Sequence, residues 1–182
     1  MDFDETFIPV IKPATIHIVL SLALSQQWPI HQLDVKNAFL HGNLDEEVYS
    51  QQPSGFVDPS RPTHVCRLLK SLYGLKQAPR AWFHRFAAYA RSIGFIESRS
   101  DASLFTFHRG PNTAYLLLYV DDIIFTASST PLLQCIITSF SHEFSMKDLG
   151  PLHHLAFLSP ANQTSFISLS ANIFSKFFLG QV

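Results

Sequence analysis

A chain of 182 residues, 47% hydrophobic and 13% aromatic, has the length and apolar content for a sizeable core, which argues against a disordered tail or a linker. Thirteen Lys and Arg against fourteen Asp and Glu leave a formal net charge of -1, so no global basic field points to nucleic acid or membrane, and any polyanion site must be a local patch. The longest uncharged apolar stretch, Ile16 to Leu24, is about half a bilayer crossing, Met1 is followed by Asp2, Asp4 and Glu5, and only Cys66 and Cys135 occur, so no membrane helix, no secretory signal and a reducing intracellular compartment are expected.

Pro13 suits a first helical position, and Ile16, Val19, Leu20, Ala23 and Leu24 follow at helical spacing until Trp28-Pro29 ends the run. Apolar runs predict strands at Ile30 to Val35, Val48 to Gln51 and Val65 to Leu68, with an irregular loop between Gln51 and Thr63 where Pro53, Gly55, Pro59 and Pro62 fall. A second helix opens at Pro79, aligns Trp82, Phe86, Tyr89 and Ile93 on one face, and stops at Gly94. Strands then follow at Leu104 to His108, Tyr115 to Val120 and Ile123 to Ala127. The last two read as a hairpin with Asp121-Asp122 at its tip. A third helix takes Thr130 as its N-cap and Pro131 at its first position, with Leu132, Leu133, Ile136, Ile137, Phe140 and Phe144 as the core-facing stripe. Cys66, in a strand, and Cys135, on the third helix, read as small core residues, and none of the nine histidines falls into a zinc-ligand spacing.

Charge is unevenly spread. Between Arg67 and Arg99 lie seven of the thirteen basic residues, with Glu97 as the sole acid, and Tyr73 and Trp82 among them could give a nucleic-acid surface its stacking rings. After Asp148 there is no acid, and Lys176 is the only formal charge in the last 34 residues, among many Phe and Ser.

Carboxylates beside apolar strands require a reason, because buried charge is costly unless paired or bound to metal. Taken alone, the Asp pair fits a solvated turn at least as well as a functional site. Asp34 changes that balance, as a third carboxylate ending another apolar strand. Successive strand side chains alternate in direction, so one of Asp121 and Asp122 should meet Asp34. Two carboxylates and a backbone carbonyl such as that of Val35 would make an oxygen-only Mg²⁺ site with positions open for phosphates. That is the layout of two-metal phosphoryl transfer.

Three strings, Q-L-D-V-K-N-A-F-L-H-G at 32 to 42, L-Y-G-L-K-Q-A-P-R-A-W at 72 to 82 and Y-V-D-D at 119 to 122, resemble the reverse transcriptase of copia-type LTR retrotransposons. The similarity runs from D-F-D-E-T-F-I-P-V near the start to M-K-D-L-G-P-L-H-H at 146 to 154. It implies an α+β fold, a right-hand polymerase palm with partial fingers, whose antiparallel sheet is backed by helices. It also implies an RNA-directed DNA polymerase acting on a template-primer of RNA or DNA and on dNTPs with two Mg²⁺ ions, Mn²⁺ being an alternative. Asp34, Asp121 and Asp122 resemble the metal-binding catalytic aspartates, Asp122 the weakest, and Val35 would add its carbonyl. Phe39 resembles the aromatic gate that excludes a 2′-hydroxyl, although without the resemblance the sequence favours a plain core ring. Gln77 resembles the glutamine that packs on the nucleotide sugar. Beside it Lys76 and Arg80 would contact phosphate, or serve only as solvated helix-start residues. The resemblance further implies a cytoplasmic virus-like particle and no membrane.

The chain also departs from the family pattern. It begins after the basic fingers strand, and after His154 it reads L-A-F-L-S-P where the family has an L-G-I-x-V strand. Synonymous codons for Leu155 to Ile173, read one base earlier, give L-G-I-S-V-T-R-K-P-N-V-I-Y-L-S-Q-R-K-Y. The expected organisation is therefore a partial fingers and palm over 1–152 and a frameshifted tail over 153–182, with the thumb absent and primer extension by this chain weak or nil. The alternatives from other classes are a non-catalytic nucleic-acid-binding remnant and a functionless pseudogene product.

Overall fold

The computed structural model describes residues 11–152. The tail read as frameshifted lies outside the described residues. The chain divides into two compact units, one containing residues 37–89 and the other residues 11–36 and 90–152 of the described part.

The larger unit is built on a six-stranded, wholly antiparallel sheet. Its elements are α1 (Pro13–Ser25), β1 (Ile30–Val35), and, after the intervening unit with its strands β2 (Asn43–Gln51) and β3 (Val65–Lys70) and the shared helix α2 (Ala78–Ser92), β4 (Ile96–Glu97), β5 (Leu104–Arg109), β6 (Asn112–Tyr119), β7 (Asp122–Ala127), α3 (Thr130–Glu143) and β8 (Met146–Pro151). The strand order is β4-β5-β6-β7-β1-β8. Strands β4 to β7 follow one another as a meander, whereas β1, distant from both in the chain, comes to lie between β7 and β8.

Helices cover both faces. On one face Ile16, Val19, Leu20 and Ala23 of α1 pack with Ile30, Leu117 and Ile124, as the helical spacing predicts. The start of α1 is held by the buried Asp101, whose Oδ2 accepts from the Lys12 backbone N–H at 2.9 Å. Its end is closed by the Trp28 N–H reaching the Ala23 carbonyl at 2.8 Å. On the other face the α3 stripe of Leu133, Ile136, Ile137 and Phe140 is buried. Phe95 lies there among the rings of Phe107, Phe125 and Phe140, at 5.5, 6.2 and 6.1 Å between centroids. Gly94, at φ +103°, ends α2 in the left-handed region, and an added Cβ would stand 3.3 Å from the Phe107 ring.

The smaller unit has a 3₁₀ turn (Ala38–His41), the β2–β3 ribbon and the first part of α2. Buried Ser71 bonds through its hydroxyl to the Phe39 carbonyl and through its backbone N–H to the Gly42 carbonyl at 3.0 Å. At Gly42 the chain passes so close to α2 that a Cβ would meet Ala81 Cβ and Trp82 N at 2.8 Å, which only glycine avoids. The Gln51 to Thr63 stretch is irregular as expected, and Gln52 organises it by donating to the Arg61 and His64 carbonyls and accepting from the Asp58 N–H.

Four sequence expectations need correction. The hairpin tip is Val120-Asp121, because β6 ends at Tyr119 and Asp122 pairs with it in the ladder. The N-cap of α3 is Ser129, whose extended backbone lets its side chain accept from the Leu132 N–H, so Thr130 is already helical. Cys66 and Cys135 are exposed. Cys66 lies on a ribbon with little cover on either face, and Cys135 sits on the outer side of α3, off its buried stripe. Trp82, considered above as a stacking ring, is buried at 1% exposure against Phe86.

Candidate active site

The carboxylates come together at one end of the large sheet. Asp34 is the penultimate residue of β1 and stands in register with Asp122, the first residue of β7. Residues directly opposite in an antiparallel pair project from the same face, so Asp34 and Asp122 share the α1 side of the sheet. They lie beyond the part that α1 covers, and both are half-buried.

Asp121 reaches the same region from the turn. Its carbonyl accepts from the Val35 N–H at 2.8 Å, which staples the turn to the end of β1. Val120 takes φ +55°, an outlier for a β-branched residue and worth about 1–3 kcal/mol of strain at such sites. Partial burial pushes the Asp121 carboxyl above its ordinary range, and the Asp34 carboxylate adds to the rise. A hydrogen bond within Asp121 itself works against both. Asp34 and Asp121 therefore feel each other as like charges, which is the condition a bound cation would relieve. Their all-oxygen donor set suits a hard divalent ion. Among the described residues, no three His, Cys, Asp or Glu side chains converge on a ready-formed metal cage.

Two residues at this site were not singled out from the sequence. Lys147 of β8 stands in register with Asp34 on its other side, placing a cation on the same sheet face. Gln32 donates through Nε2 to Asp122 Oδ1 at 3.0 Å. Neither has a local signal, since Lys147 is 113 residues from Asp34 in the chain and Gln32 looks like an ordinary strand residue.

Phe39, Lys76, Gln77 and Arg80 belong to the smaller unit. Phe39 is half-buried, so it is not a plain core ring, and its neighbour is Tyr73 at 5.0 Å between centroids. Gln77 and Arg80 line one cavity of about 410 Å³ together with Asp45, Glu46, His84 and Arg85. Two arginines and two carboxylates share that lining. Lys76 is exposed and not part of that lining. The basic stretch is divided: Arg67 and Glu47 pair at 3.2 Å in the smaller unit, and Arg91 and Glu97 at 3.8 Å in the larger.

A family model described as "Reverse transcriptase (RNA-dependent DNA polymerase)" matches residues 1–180. The chain belongs to this reverse transcriptase family. It is 52% identical over 154 residues to the "Retrovirus-related Pol polyprotein from transposon RE2" of Arabidopsis thaliana, covering 85% of this chain and 11% of that protein. The polyprotein from transposon RE1 of the same plant is 51% identical, over 85% of this chain and 10% of the relative. That from transposon TNT 1-94 of Nicotiana tabacum is 44% identical, over 85% and 12%. The chain spans about a tenth of the length of these curated relatives. The resemblance to copia-type reverse transcriptases is thereby borne out, and the mixed fold with its antiparallel sheet and helices agrees with it. No helix among the described residues is long and apolar enough to cross a membrane.

Proposed function

We propose that this chain forms the catalytic palm and part of the fingers of an RNA-directed DNA polymerase, which joins a deoxynucleotide to a primer 3′-hydroxyl on an RNA or DNA template. The supporting observation is the meeting of Asp34 with Asp122 in register and with Asp121 from the stapled turn, in a chain of this family. Asp34 and Asp121, with Asp122 contributing less and the Val35 carbonyl in addition, would hold two Mg²⁺ ions or Mn²⁺ in their place. Bound there, divalent ions would favour the attacking alkoxide and neutralise the leaving phosphates.

The remaining work falls to side chains. Phe39, with Tyr73 against its ring, would lie under the nucleotide sugar and exclude a 2′-hydroxyl. Gln77 would pack on the sugar, and Lys76 and Arg80 would meet phosphate. An intracellular, particle-associated setting follows from the same reading. Full activity is expected in a polyprotein context, and the chain alone should extend primers weakly or not at all.

The test is a chimera in which residues 1–152 replace the corresponding stretch of the transposon RE2 polyprotein. It should extend a primer with Mg²⁺, and Asp34→Asn should lower the rate at least ~100-fold, more than the usual loss of an outer-shell partner. Extension that survives Asp34→Asn would refute the assignment.

We also propose that residues from about 153 onward are read in a shifted frame. The lack of any acid after Asp148, with Lys176 the only formal charge in the last 34 residues, supports it, and the family model's match through residue 180 weighs against it. Genomic DNA across codon 154 should show the one-base slip, and codons that cannot encode L-G-I-S-V in the neighbouring frame would dismiss it.

A further inference from the structure

The face of β1 that carries Asp34 also carries Gln32 and Ile30, at two-residue intervals. Ile30 is buried with Ile124 and Leu117 under α1, whereas Asp34 is half-buried past that cover. Gln32 stands at the boundary between the apolar core and the carboxylates. Its register partner on β7 is Ile124, and that of Asp34 is Asp122. The 3.0 Å bond from Gln32 Nε2 to Asp122 Oδ1 therefore runs diagonally across the strands, away from Asp34 and toward the apolar side.

That direction matters. Directly opposed residues have Cβ atoms only about 4.5–5.5 Å apart, so an unrestrained Asp122 would face Asp34 as a like charge or compete with Asp121 for the same ion. We propose that Gln32 is a positioning residue that holds the Asp122 carboxylate back from Asp34, so that Asp34 is left to act with Asp121. This rests on the metal-site reading above. It supplies a physical cause for the unequal roles of Asp121 and Asp122, which identical side chains do not by themselves explain. The amide suits the position because it donates to one carboxylate oxygen without adding a cation that would compete with the metal.

A double-mutant cycle on the full 182-residue chain separates this from a merely space-filling glutamine. Mn²⁺ affinity is measured by electron paramagnetic resonance for the wild type, Gln32→Leu, Asp122→Ala and the double variant. With Gln32 present, Asp122→Ala should change affinity less than ~threefold. In the Gln32→Leu background the same change should weaken it about tenfold or more, because the released carboxylate has joined the site. Should Gln32→Leu fold poorly, the shorter Gln32→Asn gives the same comparison.

Asp34→Asn is the separate arm for the metal-site reading, which fails if Mn²⁺ still binds in that variant. The positioning bond itself is judged without metal. In ¹⁵N–¹H spectra, Asp122→Ala should move the Gln32 side-chain amide resonances and leave those of Gln52 in place. Equal effects of Asp122→Ala in both backgrounds, or Gln32 amide resonances indifferent to that substitution, would overturn the proposal.

Discussion

Replacing Asp121 with asparagine should make the metal-free protein more resistant to heat at neutral pH while removing the metal-dependent chemistry proposed for this site. The Asp121 carboxyl is raised above its ordinary range by partial burial first and by the Asp34 carboxylate second. A carboxyl whose folded-state pKa lies above the unfolded value favours folding when protonated. That contribution is complete below the unfolded value, roughly 3.9, and is lost as pH rises through the folded one. At pH 7 the ionised Asp121 therefore weakens the fold, and a neutral amide relieves it. Melting followed by circular dichroism from pH 3 to 8 should show the Asp121→Asn advantage growing with pH. Mg²⁺ should raise the melting temperature of the wild type by ligand linkage and leave the variant unmoved. In a polymerase-competent chimera the same substitution should cost at least ~100-fold in rate. A lower melting temperature for Asp121→Asn at pH 7, or equal protection of both proteins by Mg²⁺, would show that Asp121 is not a strained metal-seeking carboxylate.

The conflict between stability and function at this turn also explains why the hairpin was misplaced by one residue from sequence. Asp-Asp is a comfortable turn pair, and Val-Asp is not, since a β-branched residue at φ +55° opposes every local preference. The tertiary setting overrides it: Asp122 gains ladder pairing with Tyr119 and Asp34, and the Asp121 carbonyl gains the Val35 N–H. Local rules thus fail where the side chains are being aimed. The three helices were legible because their apolar stripes repeat at helical spacing and proline falls in the first two positions of each. The edge strand β8 was not, because Met146 to Pro151 contains Lys, Asp, Gly and Pro and lies largely exposed. It is held by backbone pairing to β1 and by His31 Nδ1, 3.2 Å from Asp148.

The site was legible in a different measure. The three aspartates could be named from their motifs, because motif and strand end coincide. Strand alternation already indicates that one of Asp121 and Asp122 meets Asp34, but the register that sets Asp122 opposite Asp34 has no local signal, since β1 and β7 meet only through the sheet order, with the smaller unit intervening in the chain. Lys147 and Gln32 enter through that same pairing. The sequence neighbours of Gln77 suggested a role shared with Lys76, whereas the cavity groups Gln77 with Arg80 and leaves Lys76 out.

The largest loss of stability should come from Phe95→Ala. Phe95 is 2% exposed and touches the rings of Phe107 on β5, Phe125 on β7 and Phe140 on α3, so it joins the helix to two strands of the sheet. Truncating a buried phenylalanine costs about 3–5 kcal/mol, because the lost transfer energy is compounded by a cavity that rings on three sides cannot collapse into. Against a total domain stability of roughly 5–15 kcal/mol, that is a third or more of the whole in most cases. For a chain of this length each kcal/mol lowers the melting temperature by about 2–4 °C, so a fall of roughly 6–20 °C is expected. The adjacent Ile96, 67% exposed, gives the control. Ile96→Ala should stay within about 0.5 kcal/mol of the wild type, as surface changes do. The two variants sit side by side in the chain and differ in which face of the sheet edge they occupy. Similar losses from both would mean that the Phe95 ring cluster does not hold α3 to the sheet that presents Asp34 and Asp122.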